Sequence, residues 1–288
     1  MGYELYFIAS TAAVPDRASF ERHFAGRARY SVVKGAARYA NEDTDASFAF
    51  DCLASKYPNL RGPRPWARFT LDYRRPSFFA EESLPELQAF SERFGASAVY
   101  PGPTPAPYTT PAFLRSWEEG NREACGPFPD AAPPNERPLV LPRAQLLAVW
   151  QWNYRRKALQ AEEGGALFVP RIWFVRTAGG VGTCVVWPDA MAARVPQVDT
   201  VVFSREALAP HSSLGRRPDA AVVPWSAIAG SITGQAFFDS QIANWRVTDR
   251  RVLTGLAKAV VSFRGTTDLP DLLTGEMVLD REGFAGTR

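Results

Sequence analysis

Two periods of apolar and polar positions run along this chain, and the changes between them mark its elements. Tyr3–Ala9 is apolar on both faces and predicts a strand. Pro15 and Asp16 then open a helix carrying Phe20 and Phe24 on one side, which Gly26 ends. Tyr30–Val33 and Ala36–Ala40 flank Lys34-Gly35, the sequence of a tight hairpin. After an acidic turn at Asn41–Asp45, Ala46–Cys52 alternates strictly, with Phe48, Phe50 and Cys52 on one face. Trp66–Tyr73 alternates in the same way. Ser83 with Glu86 has the spacing of a capping box, and Leu84, Leu87, Phe90 and Phe94 form the apolar stripe of the helix it would start. An antiparallel sheet with two helices on one face buries all these stripes most simply, in a ferredoxin-like order with an added strand.

Prolines interrupt the pattern next. Eleven of the 24 lie between Pro101 and Pro142, where each removes a backbone donor and restricts its predecessor. This stretch predicts an extended connection holding one short helix, about Phe113–Cys125. A long helix then runs from Pro142 to Gly164-Gly165, with Leu146, Leu147, Trp150, Tyr154, Ala158 and Ala161 as its buried face. Phe168–Val175 and Val181–Trp187 around Gly179-Gly180 read as a hairpin buried on both faces. Val198–Phe203 and Ala220–Val223 read as strands, Gln235–Trp245 as a helix, and Val252–Leu256, Ala259–Phe263 and Glu276–Leu279 as weaker strands. The expected architecture is α+β. It has an N-terminal lobe over residues 1–100, a Pro-rich connection over 101–141, and over 142–288 a C-terminal α+β lobe opened by the long helix.

Composition narrows the function classes. The chain has 288 residues, 46% hydrophobic and 22% charged, as in an ordinary globular protein. The net charge of +3 gives no electrostatic case for nucleic acid or a membrane as partner. The basic set is skewed: Lys34, Lys56, Lys157 and Lys258 are the only lysines among 33 basic residues. GC-rich coding explains the skew as well as an interface rich in forked guanidinium donors does. Three widely spaced cysteines (Cys52, Cys125, Cys184) make no disulfide framework, and MGYELYFIAS lacks a basic leader, so a reducing bacterial cytoplasm is the expected compartment.

Candidate chemistry is sparse. AGGVG (Ala178–Gly182) and FRGTTD (Phe263–Asp268) lack the spacing of a phosphate loop. Two histidines, His23 and His211, cannot build a histidine-rich metal site. Glu42, Asp43 and Asp45 lack the calcium-loop spacing. No catalytic residue, metal ligand or cofactor is assigned. Beside a Cys–His or Ser–His pair, for which His211 next to Ser212-Ser213 shows no motif, the constellation with an enzymatic reading is a carboxylate set, Asp189, Asp199, Asp239 and Asp249, were it to converge on a metal ion. The alternative lies on the long helix, where Trp152, Arg155 and Arg156 sit beside Trp150 and Tyr154. Tryptophan and arginine favour protein interfaces, so Trp152, Arg155 and Arg156 are the candidate partner surface.

Several stretches resemble an uncharacterised family of bacterial proteins. They are VPRIWFV, TCVVWPDAMAARVPQVDTVVFSRE and DAAVVPWSAI between Val169 and Ile228, with YELYFIAS and ARYANEDTDASFAFD near the start. Some proteins of that kind are encoded near antibacterial toxins. The resemblance implies an immunity or accessory role and supplies no active site. The expected function is therefore a non-enzymatic protein that binds another protein, such as a toxin. The alternative is a motif-less carboxylate- or metal-dependent nuclease or hydrolase.

Overall fold

The alternation along the first 72 residues builds one antiparallel sheet. In a computed structural model, which describes residues 2–9, 14–53, 65–99, 108–126, 138–205, 219–232, 237–239, 242–263 and 269–284, the chain is mixed α+β. It divides into two compact units, one comprising Met1–Pro138 with Leu279–Arg288 and the other Leu139–Val278. The last ten residues thus join the N-terminal unit, although the sequence placed them in the C-terminal lobe.

In the first unit β1 (Gly2–Ala9), β2 (Tyr30–Val33), β3 (Ala36–Ala40), β4 (Ser47–Cys52), β5 (Pro65–Asp72) and β6 (Ala96–Val99) pair in the order β2-β3-β4-β5-β1-β6. Every pairing is antiparallel. Lys34 and Gly35 both have positive φ, 49° and 79°, which is the two-residue turn that matches strand twist. Helices α1 (Arg17–Phe24) and α2 (Phe78–Phe94) cover one face. Phe90 of α2 is the hub, with ring centroids 4.7 Å from Phe7, 4.9 Å from Phe50 and 5.9 Å from Phe24. On the other face Arg68 bridges Glu4 at 2.6 Å and Asp51 at 2.9 Å across three strands. α3 (Thr110–Cys125) lies as expected, and Thr109 caps it through a bond from Ala112 N.

The predicted start of α2 at Ser83 is corrected. The helix begins five residues earlier because Phe78 and Phe79 are buried in the core. Ser83 sits inside it with its hydroxyl on the Ala80 carbonyl. Glu86 closes no capping box; it accepts from Tyr30 and pairs with Arg27.

In the second unit come β7 (Leu139–Leu141), α4 (Arg143–Glu162), β8 (Ile172–Thr177), β9 (Gly180–Pro188), β10 (Ala193–Pro196), β11 (Thr200–Ser204), β12 (Ala220–Pro224), α5 (Trp225–Ala229), β13 (Phe237–Asp239), β14 (Ile242–Val247), α6 (Arg250–Ser262), β15 (Leu272–Leu273) and, crossing the boundary, β16 (Val278–Asp280). One sheet runs β12-β11-β9-β8-β15, with β9 and β11 parallel, and a second runs β10-β14-β13. Of the helix expected at Gln235–Trp245, the described residues 237–239 and 242–245 belong instead to the β13–β14 pair; buried Asn244 interrupts the apolar alternation that would have announced it. The strands expected at Val252–Leu256 and Ala259–Phe263 are the single helix α6, capped by Asp249 and burying Leu256 and Val260 four residues apart. Gly255 divides its apolar run and hides the helical period. The strand expected at Glu276–Leu279 begins only at Val278, after a short 3-10 turn.

Candidate binding groove

α4 presents a different face to the core from the one its leucines and aromatics suggest. Leu146, Val149, Trp152, Asn153 and Leu159 are buried, whereas Tyr154 is exposed and Trp150 half-buried. The reason is a run of polar side chains that serve the backbone beside them. Asn153 donates to the Ile172 carbonyl and accepts from the Ile172 N–H, both at 2.9 Å. Gln160 does the same for the Leu167 carbonyl and the Val169 N–H at 2.8 and 2.9 Å. Trp152 donates to the Pro170 carbonyl at 2.9 Å. The helix thus acts as a neighbouring strand for the Leu167–Ile172 segment, whose buried backbone groups need partners.

This corrects the candidate partner surface. Trp152 is fully buried and cannot touch a partner. Arg155 is exposed and Arg156 half-buried, on the helix that also carries the Trp150 and Tyr154 rings, tilted at 44° with centroids 5.7 Å apart.

The N-terminal half of α4 forms one wall of a groove of about 400 Å³. Ala144, Gln145, Ala148 and Val149 face Ile172 of β8, Thr183 of β9, the Gln197–Asp199 turn, and Ile242 and Ala243 of β14. Alanine at 144, 148 and 243 leaves the space that larger side chains would fill. The volume lies in the range of small-ligand sites, and the mixture of apolar walls with a few polar groups is of that kind. Asp199 is the one charged lining group. It is exposed, yet fixed: one oxygen accepts from the Thr183 N–H at 2.7 Å and from its hydroxyl at 2.8 Å, while the Thr183 hydroxyl meets the Asp199 N–H at 3.1 Å. A carboxylate offers about four acceptor positions, so acceptor capacity remains for a ligand. Gly182 permits this approach, since a Cβ there would lie 3.3 Å from the Asp199 carboxylate.

The other acids of the carboxylate set lie on separate elements. Asp249 caps α6, Asp189 sits in a turn at φ 45°, and Asp239 belongs to β13. Among the described residues no three His, Cys, Asp or Glu side chains gather as metal ligands. His211 and residues 264–268 of the FRGTTD stretch lie outside the described residues, as do 101–107 and 127–137 of the Pro-rich connection. Cys184 is buried, and burial pushes its thiol up to about 12. Burial likewise raises Cys125.

Sequence reasoning singled out Asp199 only as one of four acids and missed Gln145, Ala148, Thr183 and Gln197. The single signal was local: a polar Gln-Val-Asp turn directly before the apolar β11 run. Among the described residues no helix is long and apolar enough to cross a membrane. No protein-family model, curated protein or solved structure matches the chain.

Proposed function

We propose that the chain is a binding protein whose groove beside α4 receives a cationic side chain, arginine or lysine, of a partner protein. The observation that carries this reading is Asp199, a carboxylate held by two donations from Thr183 at the edge of a groove lined by both apolar and polar side chains. A fixed acceptor loses little freedom on binding, and a charge-assisted bond to it is stronger than a neutral one. Apolar walls from Val149, Ile172 and Ile242 suit the methylene stem of such a side chain. The resemblance of the Val169–Ile228 stretches to proteins encoded near antibacterial toxins supports a toxin as that partner, held by occlusion.

Calorimetric titration tests the reading. N-acetyl-arginine methylamide is expected to bind the wild-type chain and to lose about tenfold in affinity to Asp199→Asn. The glutamine analogue is expected not to bind. Equal binding of both amides, or no effect of Asp199→Asn, would overturn the reading. Magnesium, manganese and zinc chloride in the same cell test the metal-dependent enzyme, for which a saturable heat is required.

A further inference from the structure

α6 carries a feature that the groove does not use. Arg250, Arg251, Thr254, Gly255 and Lys258 line a shallow exposed depression on its outer side, with Asp249 at its start. Positions 251, 254, 255 and 258 share one helical face. No ion pair engages Arg250, Arg251 or Lys258 among the described residues. The helix itself is firmly placed. Asp249 caps its start, Leu256 and Val260 are buried, and Arg205 closes its C-terminus by donating to the carbonyls of Val260 and Phe263 at 3.3 and 3.0 Å while gripping Asp219.

Gly255 in the middle of the stripe is the second, independent observation. Glycine inside a helix lowers its stability relative to alanine. Here nothing lies within 4 Å of the position a Cβ would take, so packing within the described chain does not require glycine. Its one structural consequence is a notch between Arg251 and Lys258 into which another backbone can approach closely.

We propose that this face of α6 is a second interaction surface, for an acidic segment of a protein partner laid along the helix. Three cations on one short helix are too few for a nucleic-acid footprint, which commonly neutralises about 6–10 phosphates. They match two or three carboxylates along a peptide, with the peptide backbone passing over Gly255. This inference is independent of the groove in position and in the sign of the charge it recognises.

The test uses the full chain and a fluorescein-labelled octaglutamate peptide, read by anisotropy at low ionic strength. A thymidine oligonucleotide of equal charge serves as the second arm. The peptide is expected to bind, and the Arg251→Glu/Lys258→Glu variant to lose about tenfold in affinity. Gly255→Leu is expected to weaken peptide binding with no fall in Tm, since leucine is the better helix former. Absence of peptide binding to the wild-type chain would overturn the proposal. So would tighter binding of the oligonucleotide, or unchanged affinity in the two variants when both melt like wild type.

Discussion

Glu82 sits on α2 with 1% of its surface exposed and accepts from Tyr39 and Thr44 at 2.7 Å and from Asn41 at 2.6 Å. It ties the acidic turn after β3 to the helix layer. Burial and the neighbouring Glu82 charge together raise the Tyr39 phenol, keeping it a donor. Glu82→Leu strands three donors and is expected to cost about 3 kcal/mol or more, read as a lower urea midpoint. A loss within error would mean that the turn finds other acceptors. His23 makes a pH-dependent case. Burial first, then the charges of Arg27 and Arg93, pushes it down from 6.5 to about 4. Arg27 donates to its ring nitrogen at 3.1 Å. The unfolded imidazole takes a proton near 6.5 and the folded one only near 4, so this contribution is complete above 6.5 and is lost as pH falls through 4. His23→Leu is expected to flatten the upper part of that decline in a series of urea melts; an unchanged slope would refute it. Neither group was legible in the sequence, where His23 is an ordinary polar residue on a helix and Glu82 lies just before the helix expected from Ser83.

At the scale of elements, alternation was legible and side-chain service to the backbone was not. β3, β4, β5 and the hairpin at Lys34-Gly35 followed from period and turn chemistry, because residues on those strands face either core or water. The span of α4 followed as well, but its buried face did not, because Asn153 and Gln160 bond the backbone beside them from positions that a hydrophobic pattern assigns to apolar residues. The end of α4 adds a second case. Arg194 and Arg246 are cross-strand neighbours on β10 and β14, a repulsive pair by itself. Glu163, just past α4, bonds both, at 3.0 Å to Arg194 and 2.8 Å to Arg246. Arg194 is 5% exposed, so Glu163→Ala leaves a buried cation with only the longer pairing to the more exposed Glu162, at 3.5 Å, and is expected to cost about 3 kcal/mol. The double variant Glu163→Met/Arg194→Met is expected to lose less than Glu163→Ala alone, since no buried charge is stranded. Additive losses in thermal melts would contradict this account. No sequence signal links positions 163, 194 and 246; only the fold brings them together.

For the whole molecule, the division into two units falls at Pro138 and Leu139, near the end of the stretch read as a connection, and the return of the last residues to the first unit left no signal in the sequence. Asp280 makes that return: its carboxylate accepts from the Ser77 N–H and hydroxyl, both at 2.6 Å, at the start of α2. The groove belongs wholly to the second unit, so its occupancy is expected to be read there alone. Amide NMR spectra of the labelled chain, titrated with N-acetyl-arginine methylamide, test the central claim most directly. The account predicts shifts gathered at Ala148, Thr183 and Asp199, and their loss in Ala148→Trp, which fills the space beside α4 while leaving the first unit's resonances in place. Shifts scattered over both units, or retained in Ala148→Trp, would contradict it.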